Sequence, residues 1–409
     1  MINLLQKNRS LNTFKSRKID KIILTLSIIF LYRLGSTLPL PDINYELISP
    51  KVESQGIIQS VLGGSFGFFA LGISPYITAS FIIQFLTPLL PSLEKLQQEE
   101  GENGRARITQ LMRILALIIS AYQAFRLVFD LKKYIFNWNI LTVSNLILLM
   151  MTGTIVCIWF SELLTEKGLG NGTGILIFVN VLEQFPIQLT NIFNSLSSQG
   201  NITKILFGVG FLLTLGLIIV VQSLIKEIDI ISSKQFTSKF LANEVYSLPF
   251  RVNQSAVMSI VFASTALYYL TSFIYSILNR LNLSRILTLP GNNLFYIFIN
   301  FGLIIIFNVL YSTVSINPRK LGDNLRKMSA TIPNIQPGKP TAQYLNKVLT
   351  KVFLVGGIIT ALLVLVFDLA FLSYQRVGGL ISSLFILIGT ISDVIYKYED
   401  DKNALDFKS

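Results

Sequence analysis

Ten apolar runs, each near the length that crosses a bilayer, leave this chain few ways to fold. They cover residues 22–40, 57–90, 108–129, 143–164, 175–189, 205–225, 252–278, 294–314, 348–372 and 377–395. Lipid cannot hydrogen-bond an exposed amide, so runs of this kind must become helices that satisfy their own backbone. The chain is therefore expected to be an all-α polytopic membrane protein with about ten spans. Composition agrees: of 409 residues only 14% are charged, where a soluble domain carries about a quarter, and the mean hydropathy is +0.60. The run at 175–189 is short and carries Glu183 and Pro186, and is read as steeply placed or ending early.

The second run is the most informative because it is broken. Gly63, Gly64, Gly67 and Gly72 interrupt it and Pro75 divides it, which predicts two pieces joined by a hinge. Irregular backbone at membrane depth persists only where it is buried in protein or faces water. That places a channel or transport pathway here, against the plainer account of a kink that merely bends a packed helix.

Several chemistries are excluded. Histidine is absent and the one cysteine, Cys157, lies in an apolar run, so histidine acid/base work, a disulfide framework and a cysteine metal site are unavailable. GENGRAR and GLGNGTG punctuate loops and lack the pattern of a phosphate-cradling loop, and no catalytic carboxylate pair stands out. No enzyme activity, metal or cofactor is expected. The basic N-terminus precedes a long apolar run without a small-residue cleavage site, so it reads as a retained first span.

Lys7, Arg9, Lys15, Arg17, Lys18 and Lys21 precede the first run, and Arg319, Lys320, Arg326, Lys327, Lys339, Lys347 and Lys351 follow the eighth. Both sets belong on the side where the chain is synthesised, which an even number of spans also gives to the C-terminus. Lys132, Lys133, Arg280 and Arg285 count mildly against this orientation. Two loops on that side, 226–251 and 316–347, exceed what a bundle needs. The second is shaped by Pro318, Pro333, Pro337, Gly338 and Pro340, and a shaped basic loop suits an anionic partner such as lipid head groups, ribosomal RNA or an acidic protein face. Ordinary positive-inside bias explains the lysines equally well, but not the prolines.

Taken in order, GGSFGFFALGISPYITASFIIQFL, EEGENGRARITQ, TEKGLGNGTGILIF, LPFRVNQSAVMSIVFAS and NPRKLGDNLRKMSATIPNIQPGKPTAQYLNKVLT make the chain resemble the SecY family of protein-conducting channel subunits from about Lys18 to Asp393. The resemblance implies two pseudo-symmetric inverted halves, residues 1–200 and 201–409, around a central pore with a plug. The plug would be the segment from about Ile57 to Phe69, with Val61, Gly63, Gly64, Ser65 and Phe68. The pore ring would be Ile73, Ile77, Ile177, Val261 and Ile386. An aliphatic constriction strips water from an ion and so excludes it, while yielding to a polypeptide. A lateral gate would lie along Thr78, Gln84, Gln123 and the seventh span from Val252, held by modest hydrogen bonds and opened by a signal peptide.

The docking loops implied by the same resemblance carry Lys226, Lys234, Lys239, Arg251, Arg319, Lys320, Arg326, Lys327, Gln336 and Lys339. The expected partners are a SecE-type and a SecG-type subunit, a SecA-type motor ATPase or the ribosome, unfolded polypeptides and membrane lipid. Four residues depart from the family pattern: Gln336 replaces a usual arginine, Glu227 and Asp229 stand in an arginine-rich loop, and Ser259 replaces a proline that kinks the seventh span. These departures resemble plastid-encoded members that serve the thylakoid, with termini on the stromal side; a bacterial or cyanobacterial plasma membrane is the alternative. The rival functions are a secondary transporter, disfavoured because Arg33, Arg113, Arg126, Glu162, Glu183 and Asp368 fall towards span ends, and a pore-less insertase or assembly scaffold.

Overall fold

The structure is a computed structural model that describes residues 2–44, 67–87, 90, 93, 96, 101–197, 201–232, 246–253, 255–280, 292–316, 318–327, 330–333, 335–370 and 380–406. Its helices are α1 (Ile2–Thr37), α2 (Ser74–Leu86), α3 (Gly101–Asp130), α4 (Ile140–Lys167), α5 (Gly172–Ser197), α6 (Asn201–Ser223), α7 (Ala256–Arg280), α8 (Asn292–Ser315), α9 (Pro318–Lys327), α10 (Lys339–Ala370) and α11 (Leu380–Asp406). Each of the ten apolar runs contributes a helix. Among the described residues six helices are long and apolar enough to cross a membrane: those around Ala106–Tyr134, Ile140–Lys167, Gly172–Thr190, Tyr296–Thr313, Lys339–Leu369 and Leu380–Lys397.

Helix starts follow local chemistry. Pro75 is the second residue of α2 and Pro340 the second of α10, while Pro318 opens α9. Proline's fixed φ and missing N–H suit the first turn, where no intrahelical partner is available to that N–H anyway. Asn139 caps α4 through its side-chain oxygen, which accepts from the backbone N–H of Ile140 at 2.7 Å. Of the two readings of the fifth span, steeply placed or ending early, an early end at Pro186 is not what the helix shows. Helix α5 runs on through it, consistent with the tolerance of membrane helices for a proline whose freed carbonyl finds other partners.

The chain divides into two compact units, one of Met1–Ile83, Ala106–Ile187 and Thr390–Ser409, the other of Gln84–Arg105 and Gln188–Gly389. In the first unit α1 packs on α4, and a cluster of Leu40, Ile43, Leu71, Ala124, Val128, Leu131, Ile135, Leu146 and Met150 fills the space where α3 turns into α4. The segment after α1 is stitched to that turn by Asn44 N–H to Tyr134 O (2.8 Å) and Phe136 N–H to Asp42 O (3.1 Å).

In the second unit α8 packs between α7 and α10, and the long loops join in a small sheet. Strand β1 (Ile225–Ser232) is central, pairing antiparallel with β2 (Tyr246–Arg251) and with β3 (Ala330–Thr331). The period of two is plain in β1, where Ile228 and Ile230 are buried while Glu227 and Asp229 are exposed. Pro249, which cannot donate to a ladder, sits on edge strand β2. Behind the sheet Phe250, Leu325, Ala330, Ile332, Leu345, Leu349 and Phe353 close a core with those isoleucines. The two basic loops are thus one folded module seated on α10.

Candidate functional site

The broken second span begins with a pinned turn. Phe68 N–H donates to Leu38 O at 2.8 Å, Gly67 bridges Pro39, and successive turns bond Ala70 to Gly67 and Gly72 to Phe69. A Cβ on Gly67 would lie 2.0 Å from Ser36 O, and Gly72 adopts φ +50°, so glycine is required at the first by close approach and favoured at the second by backbone angle. The Phe69 ring stacks on Tyr32 (centroids 5.5 Å, planes 12° apart) and meets Phe160 edge-on at 6.3 Å. Of the residues assigned to the plug, Phe68 belongs to this anchored turn; Ile57, Val61, Gly63, Gly64 and Ser65 lie outside the described residues.

Ile73 and Ile77 come next, one helical turn apart and joined by the Ile77 N–H to Ile73 O bond of 3.1 Å. Both are buried, as is Ile177 on α5. In the second unit Val261 on α7 and Ile386 on α11 are also buried. Helices α7 and α11 meet one turn away from them, where a Cβ on Gly389 would lie 2.2 Å from the Val257 side chain. Gln222 Nε2 donates to Phe385 O beside that contact at 3.3 Å. All five assigned ring positions are therefore aliphatic and shielded.

Among the described residues two charge pairs join helices of the first unit. Arg33 of α1 bonds Glu183 of α5, next to Tyr32, whose hydroxyl donates to Asn180 Oδ1 at 2.7 Å. Arg113 of α3 grips Glu162 of α4 with two bonds, Nε to Oε1 at 2.6 Å and Nη2 to Oε2 at 2.8 Å. Glu183 sits about halfway along α5 rather than at its end, a correction to the sequence reading. Its partner makes it a structural charge in place of an open ion site.

Among the lateral-gate residues, Thr78 is buried and spends its hydroxyl on its own helix, donating to Ser74 O at 3.0 Å. Gln84, Gln123 and Val252 are half-buried. Val252 opens a polar cluster that sequence reading did not single out. Its N–H donates to Leu224 O (2.9 Å), Thr360 donates to Asn253 Oδ1 (3.0 Å), Ser312 donates to Ser255 (2.6 Å) and Asn308 Nδ2 donates to Phe353 O (2.9 Å). Gly356 and Gly357 permit this: a Cβ on Gly356 would lie 2.3 Å from Val252 O, and one on Gly357 2.9 Å from Asn308 Nδ2. Polar residues spaced along apolar runs, next to a Gly–Gly pair, are the signal that marks such a seam. Ser259 lies within one continuous helix α7, its hydroxyl donating to Ala256 O at 2.9 Å.

Of the docking residues, Lys226, Arg326, Lys327, Gln336 and Lys339 are exposed and Arg251 is half-buried. Gln336 holds the tip through its carbonyl, which accepts from Thr341 Oγ1 at 2.7 Å, and Gly338 turns the chain at φ +100°. Arg319 and Lys320 lie on α9, and Lys234 and Lys239 fall outside the described residues.

A family model for SecY matches residues 67–395. The chain belongs to the SecY family. It is 36% identical to the "Protein translocase subunit SecY" of Guillardia theta, over 94% of this chain and 95% of that protein. It is 37% identical to the protein of the same description from Pyropia yezoensis, over 93% and 95%. Its fold matches a solved structure described as "The structure of a protein conducting channel" with a TM-score of 0.68, at 16% identity over 94% of this chain and 92% of that one. "Sec61 in the Canine ribosome-channel complex from the endoplasmic reticulum" matches with a TM-score of 0.63, also at 16% identity, over 94% and 93%. The SecY match begins at Gly67, the first residue of the pinned turn, and takes in all five buried aliphatic positions.

Proposed function

We infer that the chain is the pore-forming subunit of a protein translocation channel, an integral membrane protein that conducts unfolded polypeptides across the bilayer and sideways into it. Membership of the SecY family over nearly the whole chain carries this reading. The family resemblance assigns Ile73, Ile77, Ile177, Val261 and Ile386 to an apolar constriction. Burial and aliphatic character support that role, since a hydrated ion would lose its water there while flexible side chains close around a passing chain.

Conduction is passive in this scheme, with the energy supplied from outside. The folded module of β1–β3, α9 and the start of α10 is the docking surface for a SecA-type motor or a ribosome, supported by its exposed Lys226, Arg326, Lys327 and Lys339 and by the ribosome-bound channel among the fold relatives. A SecE-type and a SecG-type subunit complete the complex. The relatives come mostly from algal plastid genomes, which favours the thylakoid membrane with termini on the stromal side.

A photo-crosslinker placed at position 77, 177 or 261 should label a precursor stalled in transit, whereas one at Leu212 or Val366, both exposed, should label lipid. A precursor captured only from the latter pair would overturn the reading.

A further inference from the structure

Helix α10 carries a boundary that its own length locates. From Val352 to Ala370 it is apolar apart from Asp368 and Thr360, and at 1.5 Å per residue that stretch rises about 27 Å, close to the roughly 30 Å hydrocarbon thickness of a bilayer. Lys351 stands at the last position before it. Lys347 lies one turn further out, about 6 Å away along the axis, so both lysines fall within the head-group layer that adds roughly 5–7 Å on each side.

The two lysines also share a face. Leu354, Val355, Leu362 and Val366, which follow Lys347 and Lys351 at helical spacing, are 42–61% exposed and so make a lipid-facing stripe. The opposite face, with Leu345, Leu349, Phe353, Thr360 and Val364, is buried. Lys347 and Lys351 are themselves exposed and make no ion pair among the described residues. Helix α10 has no acidic residue before Asp368, and the neighbouring α9 offers Asp323 against Arg326 and Lys327.

We propose that Lys347 and Lys351 form a binding site for the head group of an anionic lipid whose acyl chains lie along the Leu354–Val355–Leu362 stripe. Two cations one turn apart match a phosphate or sulfonate oxygen cluster, and the aliphatic stripe below receives the tails, so charge and apolar surface select the same ligand. Each lysine reaches outward from an apolar stem, which keeps its ammonium in the head-group layer. The site is separate from the loop tip at Gln336–Lys339, which rises further from the bilayer, and it does not depend on the channel function.

The test uses the full chain with its co-purifying partners in nanodiscs of phosphatidylcholine containing a photoactivatable phosphatidylglycerol or, in a parallel sample, photoactivatable phosphatidylcholine. Wild-type α10 should be labelled preferentially by the anionic probe. The variant Lys347→Gln/Lys351→Gln should lose that preference by roughly tenfold or more, with thermal stability unchanged, and Arg326→Gln/Lys327→Gln should keep it. An unchanged preference in the first variant, an equal loss in the second, or no labelling of α10 by either lipid would each overturn the proposal.

Discussion

The hydroxyl of Thr360 on α10 shares its hydrogen between Asn253 Oδ1 at the entrance to α7, at 3.0 Å, and Gly356 O of its own helix, at 2.7 Å, with Thr360 and Asn253 both buried. Water is scarce at such a seam, so this bond and the neighbouring Ser312–Ser255 and Asn308–Phe353 bonds hold the docking module and the start of α7 to one scaffold. Thr360→Val should destabilise the protein by about 0.6–2 kcal/mol, read as a lower thermal midpoint. A double-mutant cycle with Asn253→Ala should recover most of that loss as coupling; additive effects would show that the two side chains do not act together.

Gly356 is where α10 comes closest to the chain entering α7. Adding a methyl there places it 2.3 Å from Val252 O, and backbone cannot move aside as a side-chain tip can. Gly356→Ala should cost about 1–3 kcal/mol. Gly208→Ala and Gly302→Ala, where a Cβ meets nothing within 4 Å, should be neutral or slightly stabilising. Equal effects at all three positions would contradict the packing described here.

Arg33 and Glu183 neutralise each other between α1 and α5. Arg33→Met or Glu183→Met alone strands one charge in a poorly hydrated place. With side chains 39% and 26% exposed, the penalty should be about 1–3 kcal/mol, below the 3–5 of a fully buried pair. The double variant should be more stable than either single one, measured by thermal unfolding in detergent or nanodiscs.

At the exposed tip, Gln336 offers a neutral amide where the family resemblance implies a guanidinium. Gln336→Arg adds a rigid, charged fork and should tighten binding of a motor or ribosome by roughly tenfold, from a charge-assisted bond of about 1.5 kcal/mol. The gain should fade at high salt. Binding that is unchanged would mean the tip is not a contact.

The helical body was legible because the bilayer permits so little else: ten apolar runs became ten helices and Pro75 divided the second of them, whereas Pro340, read only as shaping a loop, sits in the first turn of α10. The loop from Lys226 to Arg251 betrayed its strands only through alternating isoleucines. What stayed hidden depends on partners far apart in the chain. Arg33 and Glu183 are 150 residues apart and Asn253 and Thr360 are 107 apart, and nothing local pairs them. Pro186 misled because a helix breaker in water is tolerated in a helix whose surroundings reward every remaining hydrogen bond. Gly356 carries no signal until α10 is packed on Val252.

Ion permeability of sealed vesicles containing the channel complex tests the aliphatic constriction most directly. With Ile73, Ile77 and Ile177 changed to serine and residues 57–66 removed, the vesicles should leak ions several-fold faster than those holding the unaltered chain. Vesicles that stay ion-tight although the altered protein is folded and inserted would contradict it.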